Sequence, residues 1–334
     1  MTVEIIAEIA QGFEGRPEQA RLLIKAAASA KADAVKFQLV YAEELATPDY
    51  KYYDLFKSLE MSDETWEGLA YYAKELGIEL NLDIFGIKSL NLAQKIGIST
   101  IKLHGTDLSN IGLLNAVAGS SIQKILLGVG GGYSEEIAKA LKVLENKEVV
   151  VLVGFQGYPT PTEGNQIARV RFFYDKLCGN NKNIKVGFAD HASPDSPLRY
   201  ALAAMAIGAG AVVIEKHITL GQVMKLEDYE SALNPDEFAE FTNVIKNCAL
   251  AFGVTEDDED FGMSEFERAY REMIRRHVVT SRELPAGTVI EPSDLTLKRT
   301  AAQEFFIDLN LVYKKKLVAP LKVNSPISQA DLEN

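Results

Sequence analysis

The sequence predicts an α/β protein, a (β/α)8 TIM barrel followed by a small β-rich domain. Three observations predict it. Eight short apolar runs alternate with longer amphipathic stretches through the first 250 residues. Several of those runs are β-branched and apolar on both faces, as in a parallel sheet covered by helices. After Cys248 the texture turns acidic, then breaks into short runs separated by turn residues.

The first strand is VEIIAEI (3–9), and PEQARLLIKAAASAKA (17–32) follows with helical periodicity. DAVKFQL (33–39) is the second strand. SDETWEGLAYYAKELG (62–77) is helical, with Ser62 or Asp63 to cap it and Gly77 to end it. Thr65 stands three residues after Ser62, so the pattern is not a strict capping box. IELNLDI (78–84), STIKLHG (99–105) and KILLGVG (124–130) continue the set, and SEEIAKALKVLENK (134–147) is the next clear helix. EVVVLVGF (148–155), IKVGFAD (184–190) and AVVIEKH (211–217) complete it. Strands alternating with helices demand parallel strands and helical crossovers. Eight such units fit a closed barrel, with an open doubly wound sheet as the alternative. The barrel takes residues 1–252. An acidic linker, opened by GVTEDDEDFGMSEFE (253–267), spans 253–274, and the small domain spans 275–334. There Pro285-Ala286-Gly287 reads as a turn, and Pro292-Ser293-Asp294 starts another element.

Of the 334 residues, 47% are hydrophobic and 25% charged, ordinary for a chain with a sizeable core. The net charge of −12 argues against a nucleic-acid or anionic-membrane surface, which needs basic patches. It leaves room for a small anion held by a few lysines. Cys178 and Cys248 are far apart, so no disulfide framework or thiolate zinc site is indicated. The opening MTVEIIAEIA lacks signal-peptide features, and no apolar run reaches the ~20 residues of a membrane helix. A cytoplasmic location is expected.

In a barrel of this type the C-terminal strand ends carry the active site. Strand 1 ends with Glu8, strand 2 with Lys36 and Gln38, and strand 3 with Asp83. Strand 4 brings Lys102, His104 and Asp107, strand 7 Asp190 and His191, and strand 8 Glu215, Lys216 and His217. Buried charges are costly without partners, so these ends describe a polar mouth. His191 and His217, on adjacent strands, could share a divalent ion, which only two protein ligands would hold loosely, more as manganese, cobalt or magnesium than as structural zinc. Alternatively each is a core histidine bonded to its neighbouring carboxylate. His104 and His277 are expected not to be ligands. Lys36 and Lys102 could grip a phosphate or carboxylate, could form ion pairs with Glu8 and Asp107, or could supply a Schiff-base amine. LLGVGGGY (126–133) offers backbone amides to an anion or is only a tight turn; it fits no P-loop. GYPTPTEG (157–164) carries Tyr158 over the same mouth or is only a turn.

AEI (7–9), ADAVKFQ (32–38), IKLHGTDLSN (101–110), YPTPTEGNQI (158–167), ADH (189–191), EKHITL (215–220) and SALNPDEF (231–238) occur in that order. RRHVVTSRELPAGTVI (275–290) and LTLKR (295–299) follow. With these pieces the whole chain resembles the sialic acid synthase family. Those enzymes condense phosphoenolpyruvate with an N-acylated hexosamine to make nonulosonic acids, and carry a C-terminal antifreeze-like (SAF) domain. The resemblance implies that His191 and His217 hold a divalent metal, in the first instance manganese. It implies that Lys36 and Lys102 grip phosphoenolpyruvate, and that Glu8 and Glu215 stand near the reacting carbons. Gln38, Tyr158 and Asp228 match positions on the amino-sugar side. Arg299 matches an arginine lent to the other subunit's site, which implies a domain-swapped homodimer. There are departures. The family's GINHNG is AQGFEG here, its ASGD is HGTD with Gly105 for serine, and its STGM falls within LLGVGGG. LHC is VGF, SDH is ADH with Ala189 for serine, GPDH is LEDY and RPG is RTA. Several phosphate-cradling hydroxyls are therefore missing. The resemblance then implies either a synthase that holds phosphate with backbone amides and Thr106, or a relative with altered carbon–carbon chemistry or only sugar binding.

Overall fold

Each of the eight apolar runs is a strand. The computed structural model describes residues 2–155, 157–179, 181–253, 261–301 and 305–333. The strands are β1 (Glu4–Ala10), β2 (Ala34–Gln38), β3 (Glu79–Asp83), β4 (Thr100–Leu103), β5 (Lys124–Gly128), β6 (Glu148–Val153), β7 (Ile184–Asp190) and β8 (Val213–His217). They are parallel and close in chain order, β8 pairing back onto β1 with Glu8 opposite His217. The expected barrel is the observed one, and the open sheet is excluded.

Side chains alternate between the two faces of a strand, and that parity builds the site. The outward residues, such as Ile5, Val35, Leu82, Ile101, Leu127, Val151, Phe188 and Ile214, pack against the helices in the main core. Among those helices, Asp63–Glu75 is capped as expected: the Ser62 hydroxyl accepts from the Thr65 N–H at 3.2 Å. Inward, Ile6, Ala34, Leu126, Val150 and Val213 form a separate apolar plug. Two residues further along each strand, the inward positions become Glu8, Lys36, Asp83, Lys102, Ala189 and Glu215. The plug closes the barrel floor, so the charged layer above it is sealed from below.

Contacts divide the chain into two compact units, Met1–Gly253 and Val254–Asn334. Part of the acidic stretch, 254–260, lies outside the described residues. Glu265–Ile274, which the sequence assigns to the linker, is a helix, with the Ser264 hydroxyl accepting from the Glu267 N–H at 3.1 Å. The cap and the glutamates of the first turn suit a helix start. In the second unit β9 (His277–Thr280) pairs antiparallel with β10 (Leu295–Lys298). Val278, Leu284, Ile290, Val312, Leu317 and Ile327 make its core. Gly287 turns at φ +78°, and Pro292–Asp294 forms a single 3-10 turn. No described helix is long and apolar enough to cross a membrane.

Candidate active site

Register sets the charged layer. Glu8 lies opposite Lys36, and Asp83 opposite Lys102. The Lys36 ammonium, fully buried, donates to Glu8 Oε2 and to Asp83 Oδ1 at 2.6 Å, and lies 3.4 Å from Glu215 Oε2. Lys102 donates to Glu215 Oε1 at 2.7 Å and stands 3.9 Å from Glu8 and 4.0 Å from Asp83. Two lysines thus face three carboxylates. The expected partner of Lys102, Asp107, is not among them. Asp107 lies past the strand end in a 3-10 turn and accepts from the Asn110 amide at 3.0 Å. Asp83, noted from sequence only as a strand-end residue, sits at the centre.

The electrostatics follow from sharing. Burial lowers a lysine's affinity for its proton, but Asp83, Glu215 and Glu8 outweigh it and hold Lys36 firmly charged. Burial would raise Asp83 and Glu215, yet the lysines keep both below the usual carboxylate range. Glu8 goes the other way. Burial pushes it up, Lys36 opposes that only in part, and Glu215 and Asp83 add to it, leaving it at about 8. Glu8 is the group that holds a proton at neutral pH.

One step higher come the histidines. The rings of His191 and His217 lie 5.3 Å apart, and the Tyr158 ring stands edge-on to both, at 5.0 and 5.6 Å. Burial lowers His191 to about 3 and His217 well below its ordinary value, so both are neutral imidazoles. His191 Nδ1 is buried with no hydrogen-bond partner among the described residues. The reading as core histidines bonded to adjacent carboxylates is not what is seen. Asp190 instead points to the other face, and Asp228 Oδ2 stands 3.9 Å from His217 Nδ1. Two neutral imidazoles with an unused lone pair suit a divalent ion. No cluster of three such ligands occurs among the described residues, so water and substrate would complete the sphere.

The backbone around His191 is clamped. Its carbonyl accepts from the Thr160 N–H and the Ser231 hydroxyl, both at 2.8 Å. Behind it, buried Lys216 donates to the Ala192 carbonyl at 2.7 Å and to Asp190 Oδ1 at 3.2 Å, while the Ala192 N–H donates to the same oxygen at 2.8 Å. Lys216 and Asp190 stand at strand ends in the sequence, yet they pair with each other away from the mouth.

The remaining candidates divide. Gln38 accepts from the Gln11 amide at 2.8 Å at the rim. Asp228, pushed up to about 7 by burial and then by Glu227 and Glu230, lies beside His217. Thr106, expected to help hold phosphate, is exposed in a surface cleft with Thr47 and Tyr50, and its hydroxyl bonds neither lysine. Arg299 belongs to the second unit, where its Nε donates to the Ile274 carbonyl at 3.2 Å. His104 Nε2 lies 3.2 Å from Asp83 Oδ2. The glycine-rich stretch is a place of close approach. A Cβ on Gly105 would meet the Gly130 carbonyl at 2.6 Å, and one on Gly130 would meet the Gly154 carbonyl. A serine cannot stand at 105 without moving this backbone.

Residues 23–257 match the NeuB family and residues 275–333 the SAF domain. An uncharacterised protein of Methanocaldococcus jannaschii is 31% identical over 298 residues, covering 88% of this chain and 84% of that one. The N,N'-diacetyllegionaminic acid synthase of Legionella pneumophila is 26% identical over 320 residues, covering 90% and 86%. Among solved structures, an N-acetylneuraminic acid synthetase from Leptospira borgpetersenii in complex with citrate superposes with a TM-score of 0.72. It is 24% identical, over 81% of this chain and 92% of that one.

Proposed function

The chain belongs to the NeuB family and carries a C-terminal SAF domain, and from that premise we propose that it is a nonulosonic acid synthase. It condenses phosphoenolpyruvate with an open-chain N-acylated amino sugar, N-acetylmannosamine or a relative, and releases phosphate. The observation that carries this is the polar mouth, closed below by the apolar plug, in which Lys36, Lys102, Glu8 and Glu215 lie beneath two neutral histidines. A protein that only bound a neutral sugar would have no use for two buried ammonium groups there.

The chain's own residues divide the work. Lys36 and Lys102 hold the phosphate and carboxylate of the donor as point charges. Carbon 3 of the enol attacks the aldehyde carbon, and Glu8, which keeps its proton to about 8, hands it to the aldehyde oxygen as negative charge develops there. Glu215 stays ionised opposite carbon 2, which becomes cationic once carbon 3 has bonded. Water then adds to carbon 2, and the carbon–oxygen bond to phosphate breaks with its electrons leaving on phosphate. A divalent ion, manganese first with cobalt or magnesium as alternatives, would be held by His191 and His217 and would polarise the aldehyde. Tyr158, Gln38 and Asp228 line the sugar side, and Arg299 is assigned to the acceptor of a partner subunit in a domain-swapped homodimer.

A second reading, altered carbon–carbon chemistry, is favoured by the bare Gly105, Gly130, Gly154 and Ala189 around the mouth. Turnover in 18O-water separates the two. The first requires label at carbon 2 of a nine-carbon product and none in the released phosphate. Product without phosphate release supports the second.

A further inference from the structure

Asp83 holds a position that the proposed reaction does not explain. It is fully buried, with Oδ1 2.6 Å from the Lys36 ammonium and Oδ2 4.0 Å from that of Lys102 and 3.2 Å from His104 Nε2. A phosphate gripped by both lysines would need this space and these donors. With Glu8 holding its proton, the ionised carboxylates of Glu215 and Asp83 are what balance the two lysines before a donor binds. A donor anion that takes Lys36 would add negative charge beside Asp83, in a place where an unmatched buried charge is costly. At the neighbouring strand ends Gly105 and Gly130 carry no hydroxyl and pack backbone against backbone.

We infer that Asp83 is a built-in anion that occupies the donor's phosphate seat between Lys36 and Lys102 and competes with phosphate for it. The inference rests on the reading of this mouth as a phosphoenolpyruvate site. When the donor enters, its phosphate takes the ammonium groups, and Asp83 keeps His104 as partner. After the carbon–oxygen bond breaks, Asp83 returns to the lysines and displaces the free phosphate. The arrangement weakens donor binding and speeds product departure. It also supplies, from within the chain, the counter-charge that a more hydroxyl-rich site would not need.

The test is calorimetric titration of inorganic phosphate, and separately of phosphoenolpyruvate, into the manganese-loaded full chain, its Asp83→Asn variant and its Asp83→Thr variant. Losing one competing charge-assisted contact should tighten inorganic phosphate by about tenfold or more in both variants. The KM for phosphoenolpyruvate should fall in parallel, product inhibition by phosphate should deepen, and the acceptor KM should stay put. In the wild-type chain labelled with 13C at aspartate carboxyls, phosphate should shift the Asp83 resonance, a readout that needs no variant to fold. Phosphate binding no tighter in either variant, or an Asp83 resonance unmoved at saturating phosphate, overturns the inference. The two readings fail separately. Condensation with unchanged phosphate affinity removes the built-in anion alone. Tighter phosphate in the variants without any condensation leaves the seat in place and removes the synthase.

Discussion

Lys102 Nζ meets Glu215 Oε1 at 2.7 Å across the barrel mouth, joining strands whose residues lie 113 positions apart. Lys36 reaches the other oxygen of the same carboxylate at 3.4 Å. One glutamate therefore orients both lysines. Glu215→Gln should misplace the donor more than it unfolds the chain. The expected result is a drop in kcat/KM for phosphoenolpyruvate of about a hundredfold, at the upper end for a charged hydrogen bond. Steady-state kinetics with the acceptor saturating checks it.

Glu8 gives a pH dependence of stability. Its folded-state pKa of about 8 lies above the unfolded value of 4.5. The folded chain thus keeps a proton that the unfolded chain releases. The stabilising contribution is whole below 4.5 and is lost progressively as pH rises to about 8. Glu8→Gln should flatten the fall of Tm between those limits. Thermal melts of both proteins at matched ionic strength across that range report it.

Metal binding should depend on the neutral imidazoles. His191→Ala and His217→Ala should each weaken manganese binding by at least about tenfold, as read by the electron-paramagnetic signal of free manganese. Both should retain the circular dichroism of the parent. Removing the metal with a chelator should stop turnover, and adding manganese back should restore it.

Lys216 and Asp190 are both buried and hold the turn that presents His191. Lys216→Met leaves Asp190 unpaired in the core between sheet and helices. Breaking one side of a buried pair costs about 3–5 kcal/mol. A loss of that size in urea unfolding is expected, and the double variant with Asp190→Asn should recover part of it.

Arg299→Ala should raise the KM for the acceptor without changing the fold. An unchanged acceptor KM removes the role proposed for it and, with it, this argument for a swapped dimer.

The barrel was legible because eight apolar runs carry strand chemistry and the mouth residues stand at their ends. Parity along each strand does the rest: Lys36, Lys102 and Glu215 are inward for the same reason that Val35, Ile101 and Ile214 are outward. The pairing of Lys102 was not legible. Asp107 is its neighbour in sequence, whereas pairing of β3 with β4 puts Asp83 opposite it and only barrel closure brings Glu215 across to it. Its place on β3, between the strands of Lys36 and Lys102, makes Asp83 central, a residue that a linear reading leaves at the end of one strand. Thr106 stands apart from the two lysines for a local reason. Gly105 packs against the Gly130 carbonyl, and the next residue lies exposed in the 3-10 turn Gly105–Asp107. The helix Glu265–Ile274 was hidden by the acidic composition before it, which masked the Ser264 cap.

The most direct measurement is phosphate release from phosphoenolpyruvate with manganese and N-acetylmannosamine or a small panel of related amino sugars, in the wild-type chain and in His217→Ala. The account predicts release that requires sugar and metal together and that collapses in His217→Ala. No release with any of those sugars, from a folded wild-type protein shown to bind manganese, would contradict it.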